Sequence, residues 1–175
     1  MTALDAGLVA ALAAVAAALA ATLVARRPPA RRTIPPGARR ILVAFEGRLD
    51  PTVLDAAIRI ARAEDAVLVP AYLLVVPLRY AEDSPLKEQV EVAMPLLEAV
   101  EHAALRGGVP VDARIEKGRT LTHALRRLWE VERFDRIIAP APADGGRGFN
   151  EKELAWLLTN APSETLVLKP MPHAA

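Results

Sequence analysis

A chain of 175 residues with 53% hydrophobic and 25% charged residues is long enough for one domain of the commonest size and an appendage. It has no cysteine, which excludes disulfides, thiolate nucleophiles and cysteine-ligated zinc or iron-sulfur centres. The formal net charge of +1 hides a division: 41–175 holds 16 basic and 20 acidic residues, an acidic balance that argues against nucleic acid as a partner.

From Ala6 to Ala25 the chain runs twenty residues without a charge, eleven of them alanine. At about 1.5 Å per residue a helix of this length spans about 30 Å, the thickness of a bilayer core. Residues 1–25 are therefore expected to be one transmembrane helix. Two other readings remain open, a cleaved signal peptide and an alanine-rich helix that stays in water. A signal peptide wants basic residues ahead of its apolar stretch, whereas here Asp5 precedes it and the arginines follow. Residues 26–40 form a linker with Arg26, Arg27, Arg31, Arg32, Arg39 and Arg40 and no acid. The positive-inside rule holds that flank in the cytoplasm, so a single-pass protein of the inner (cytoplasmic) membrane, with its globular part on the cytoplasmic side, is expected. Pro28, Pro29, Pro35 and Pro36 make the linker a semi-extended spacer.

The globular part, 41–170, begins with Ile41-Leu-Val-Ala-Phe45, an apolar run without alternation that reads as a strand buried on both faces. After Asp50-Pro51, a helix start, Val53, Leu54, Ala57, Ile58 and Ala61 recur at helical spacing. Ala66 to Val76 reads as a second buried strand, with Pro70 placing an irregularity near its middle. Ser84-Pro85 opens a long helix with Leu86, Val90, Ala93, Met94, Leu97, Val100 and Ala104 as its apolar stripe, kinked at Pro95 and ended by Gly107-Gly108. A third strand is expected from Val109 to Glu116, on the alternation of Val111, Ala113 and Ile115. A helix with Leu121, Ala124, Leu125 and Leu128 follows, then a fourth strand, Arg136–Ala139. Asn150, with Glu153 three residues on, has the spacing of a capping box for a helix from Glu151 to Thr159. Thr165–Leu168 is the last strand, and 171–175 is a tail. Strands alternating with helices imply α/β architecture, a doubly wound five-stranded parallel sheet with helices on both faces.

Taken in order, Ile41 to Gly47, Gly108-Val-Pro-Val111, Glu116-Lys-Gly118, Phe134 to Ile138 and Asn160-Ala-Pro162 resemble the universal stress protein family over 40–170. The resemblance implies a Rossmann-like sheet of the adenine nucleotide alpha hydrolase-like kind. Binding members of that family carry, after strand four, Gly, two residues, Gly, nine residues, then Gly and Ser or Thr. Backbone amides there cradle phosphates, and a Cβ would block the approach.

This sequence departs from that pattern. Counted from Gly145, the second glycine is Gly148, but the Gly-Ser position falls on Leu158-Thr159, at the end of a helix. Counted back from Ala161-Pro162, it falls on Glu151-Lys152 and the first glycine on Pro140, in a loop about two residues short. Glu151 at the helix start would repel a triphosphate. Glu46 stands at the end of strand one, where binding members usually carry Asp. The candidate nucleotide site is thus Glu46, Gly47, Pro140, Gly145, Arg147 and Gly148, with ATP as the ligand the resemblance implies. Two readings stay open, a remodelled nucleotide site and a solvated turn whose glycines supply positive φ. The site's place is the crevice at the carboxyl ends of strands one and four.

No catalytic residues are legible, so an enzyme is not expected. Ser84 and Ser163 lack a nucleophile-elbow context, and His102, His123 and His173 show no metal spacing. Glu98 with Glu101, and Glu130 with Glu132, read as solvated helix faces, and Trp129 and Trp156 as core or interface packing. The resemblance also implies a homodimer paired through the last strand and, because related domains are attached to transporters, a membrane transporter as partner. The expected role is a regulatory or interaction module; the alternatives are an ATP-binding sensor with a remodelled loop and a transporter's accessory subunit.

Overall fold

The computed structural model describes residues 34, 37–142 and 148–169. The apolar segment 6–25, the arginines from 26 to 32 and the tail 171–175 lie outside them. Among the described residues no helix is long and apolar enough to cross a membrane.

Among the described residues nine elements follow one another: β1 (Arg40–Phe45), α1 (Pro51–Ala63), β2 (Val67–Val75), α2 (Lys87–Arg106), β3 (Arg114–Gly118), α3 (Leu121–Val131), β4 (Arg136–Pro140), α4 (Glu151–Asn160) and β5 (Glu164–Leu168). The strands make one sheet in the order β3-β2-β1-β4-β5, and every pairing is parallel. The unalternating run of β1 has the expected cause. Ile41, Val43 and Phe45 join a core with α1 and α2, while Leu42 and Ala44 join a second core with α3 and α4. From Ile41 to Phe45 both faces of the strand are buried, so each of those five positions is apolar.

Pro70 does interrupt pairing, but on β3's side and not on β1's. The β1 register runs unbroken through Val43 opposite Pro70. On the other side Leu68 donates to the Pro110 carbonyl at 2.9 Å and accepts from Asp112 N at 3.0 Å. Residues two apart in a strand address the same neighbour, so Pro70 is the next that would donate there, and it has no N–H. Val111 is accordingly left as an isolated bridge to Leu68, and the β3 ladder starts only at Arg114 opposite Ala71. The expected strand Val109–Glu116 is corrected to Arg114–Gly118 for this reason.

Helix α2 begins at Lys87, later than the Ser84-Pro85 start expected. Leu86 is its N-cap, held at φ 43 with no side-chain cap bond. Leu86 is 7% exposed and part of the α1/α2 core; burying a leucine gains about 2 kcal/mol, enough to offset a left-handed backbone costing about 1–2 kcal/mol. Ala93, Leu97, Val100 and Ala104 form the buried stripe, but Met94 is 46% exposed and does not belong to it. The helix continues as one element through the exposed Pro95.

The amino ends of the strands are tied by charge. Arg40 reaches both Asp112 and Glu132, and Arg114 meets the same two carboxylates at 2.8 and 2.9 Å. Arg136 pairs with Glu64 and donates through Nε to Glu164 at 2.9 Å. Two expectations change. Glu132, with a side chain 19% exposed, is no solvated helix face, and Arg40 is the first residue of β1 and not a free linker charge. Partial burial pushes the Asp112 carboxyl up, but the bonds and charges of Arg114 and Arg40 outweigh it and hold it below its ordinary 3.8. A folded-state value below the unfolded one stabilises above the unfolded pKa and loses that stabilisation as pH falls through the folded one. Below pH about 4 the thermal midpoint should therefore fall with Asp112 contributing to the drop. Asp112→Asn should lower the midpoint at pH 7 and flatten its acid limb, as read by melts across pH 2–7.

Candidate functional site

The order β3-β2-β1-β4-β5 reverses direction between β1 and β4, since the chain leaves β1 toward β2 on one side and later places β4 on the other. Ligands in open α/β sheets bind at such a switch point, outside the carboxyl ends of the strands. Val43 pairs with Ile138, and continuing that register brings Phe45 level with Pro140. The structure thus sets Glu46 and Gly47, which follow β1, beside Pro140, which ends β4.

Each of these residues has a local reason to be there. Gly47 turns the chain at φ 70, where a side chain is strained, and Asp50 then caps α1 by accepting from Thr52 N at 2.8 Å. Glu46 is half-buried at this turn. Pro140 pairs with Leu168, and Ala141 N still donates to the Leu168 carbonyl at 2.8 Å. The chain is thereby held against β5 where the resemblance would put the first glycine. Gly145 and Arg147 lie outside the described residues. Gly148 returns beside β4: a Cβ built on it would lie 3.8 Å from the Pro140 carbonyl oxygen and 3.6 Å from Pro142 Cα, ordinary contacts. Its φ of 155 is nonetheless one that L side chains rarely adopt. A Gly148→Val substitution would therefore strain the backbone before it tested any ligand.

Four backbone N–H groups at the N-terminus of α4 lack an intrahelical partner, and its own side chains take two of them. Asn150 Oδ1 accepts from Glu153 N at 3.0 Å, and Glu153 Oε2 accepts from Asn150 N at 2.9 Å, the reciprocal capping box expected from the sequence. Glu151 and Glu153 put two carboxylates into the first turn. Phe149, fully buried in the α3/α4 core, fastens the chain just before the cap.

A second group of polar residues gathers at the carboxyl end of β3 and was not legible in the sequence. Glu82 faces Arg119 at 3.8 Å, His123 at 3.5 Å and Arg127 at 3.3 Å, and Arg127 also reaches Glu116 at 3.1 Å. Arg119 Nη1 donates to the carbonyls of Val76, Pro77 and Tyr80 at 3.3, 3.0 and 3.0 Å, while Lys117 donates to the Ser84 carbonyl at 2.7 Å. These bonds staple the loop 77–86 over the sheet's end. An open cleft of about 390 Å³ lies along them, lined by Glu82, Asp83, Ile115, Glu116, Lys117 and Arg127. Within that lining Glu82 and Glu116 both pair with Arg127. Glu82 lies more than thirty residues from its partners, and no local pattern announces the cluster. Among the described residues no group of three or more His, Asp or Glu could hold a metal ion; His173 lies outside them.

No protein-family profile and no curated protein sequence matches the chain. Solved structures do. A protein of the universal stress protein family from Burkholderia pseudomallei is 22% identical with a TM-score of 0.55, covering 77% of this chain and 98% of its own. A universal stress protein family protein from Arabidopsis thaliana with AMP bound is 15% identical, TM-score 0.55, covering 77% and 93%. The universal stress protein from Archaeoglobus fulgidus in complex with dAMP is 15% identical, TM-score 0.55, covering 74% and 96%. The five-stranded parallel sheet and its helices have the universal stress protein fold.

Proposed function

We propose that this protein is a regulatory or interaction module of universal stress protein type, tethered to the cytoplasmic face of a membrane through residues 1–25, with its triphosphate locus closed. One observation carries the second half of the reading: two of the amides at the start of α4, those of Asn150 and Glu153, are taken by the capping box, and Glu151 and Glu153 put two carboxylates in the first turn. A phosphate arriving there would have to displace a carboxylate from the positive end of the helix and then sit against two negative charges. The tether is supported by the uncharged stretch 6–25 and the arginines that follow it. Pairing of two copies is supported by β5, an edge strand with Val167 36% exposed. A membrane transporter as the module's partner rests on the family resemblance.

A second reading, an adenylate sensor, is favoured by Glu46 at the end of β1 in the same crevice and by the AMP and dAMP held by two of the similar structures. Titration calorimetry of the full chain in mild detergent separates the two. Magnesium-ATP is expected to show no micromolar binding, and micromolar affinity would overturn the closed-locus reading; AMP binding with ATP excluded would establish the sensor. Glu151→Gln with Glu153→Gln removes two charges each worth about 0.3–1 kcal/mol at a helix N-terminus, so ATP affinity should rise about tenfold.

A further inference from the structure

We propose that the amino-end rim of the α3/α4 face lies against an anionic phospholipid surface, with Trp129 and Trp156 at headgroup level. This rests on the reading that 6–25 anchors the chain in a membrane. The two indoles stack on one another, ring centroids 5.5 Å apart and planes 14° from parallel, and the Arg126 guanidinium lies 5.5 Å from the Trp156 ring centre. Val131 is 85% and Leu158 60% exposed beside them in sequence, at the ends of α3 and α4. Because each helix returns to start the next parallel strand, those ends gather at the strands' amino ends, where β1 starts.

The chain's path selects the occupant. Ile34 and Ala38, just ahead of β1, pack against the same core as Trp129 and Trp156 and not against the α1/α2 core. Only residues 26–33 separate Ala25 from Ile34, a reach of about 25 Å at about 3.1 Å per residue. Four of them are arginine, and each gains about 1 kcal/mol near an anionic leaflet. A short basic tether draws this rim to the bilayer, and stacked indoles, two exposed aliphatics, Arg126 and Arg133 are the side chains that headgroups accept.

Trp129 and Trp156 are the protein's two tryptophans, so its indole fluorescence reports on this rim alone. The full chain is reconstituted into phosphatidylcholine vesicles with and without phosphatidylglycerol, and nitroxide is placed at the headgroup or deep in the acyl chains. About half of the emission should be lost to the shallow nitroxide, as expected for indoles at the interface, with more loss when phosphatidylglycerol is present. Val131→Glu with Leu158→Glu, both at exposed positions, should restore it. Chain that floats with vesicles yet keeps its emission overturns the docking while the anchor stands. Chain that fails to float overturns the anchor and the docking with it. Indole burial that follows protein concentration and not lipid overturns the docking in favour of a contact between copies.

Discussion

Gly118→Ala is expected to cost about 3 kcal/mol and to lower the thermal midpoint by about 10 °C. Gly118 closes β3, and its carbonyl accepts from Val76 N at 2.9 Å. A Cβ there would stand 2.5 Å from Ala124 N and 2.9 Å from Ala124 Cα. Those are backbone atoms in the first turns of α3, whose Leu121, Ala124, Leu125 and Leu128 are all buried. The helix cannot yield without moving that whole stripe. The next residue is Arg119, which holds the carbonyls of Val76, Pro77 and Tyr80, so the loop 77–86 should loosen as well. Gly107→Ala is the control. Its Cβ would come within 2.6 Å of Ile58 Cγ2, a branch methyl that moves only with χ1, and 3.1 Å from the Ala104 carbonyl oxygen, so the loss should be smaller than at Gly118 but real, about 1–2 kcal/mol. Circular-dichroism melts of the two variants decide the point: equal losses would refute the account in which backbone contact sets the cost.

What was legible in the sequence follows from how local each signal is. The both-sides burial of β1, the cap at Asp50, the stripe of α3 and the capping box at Asn150 are written in residues within a turn or a strand of one another, and all stand in the structure. The start of β3 was misplaced because its cause, the missing N–H of Pro70, sits on a different strand about forty residues earlier. Met94 shares the helical spacing of the stripe yet is 46% exposed, because periodicity does not measure how wide a face the neighbours cover. Glu132 passed for a solvated carboxylate because its partners, Arg40 and Arg114, reach it only through the sheet's register. The candidate site divides in the same way. Glu46, Gly47, Pro140 and Gly148, named through the family resemblance, lie near the switch point, while the Glu82 cluster depends on a long loop folding back and left no trace in the sequence.

Phe149→Ala should have the largest effect of all, a loss of about 4 kcal/mol and a midpoint lower by about 10–15 °C, because a fully buried phenylalanine leaves a cavity its neighbours cannot fill. The consequence reaches the site. Phe149 lies between Gly148, beside the end of β4, and Asn150, the cap of α4. Its ring fixes where the capping box stands relative to the crevice. In the native protein the amides of Asn150 and Glu153 are bonded to side chains and should exchange slowly with solvent. In Phe149→Ala, measured well below its midpoint, they should exchange faster by a larger factor than the amides of α1, which belongs to the other core. Phe149→Leu keeps most of the volume and should retain the slow exchange at a cost of about 1.5 kcal/mol. Uniform acceleration across both helices would show that Phe149 contributes only bulk stability. Acceleration confined to α4 and its cap would make it the residue that keeps the start of α4 in register with the sheet.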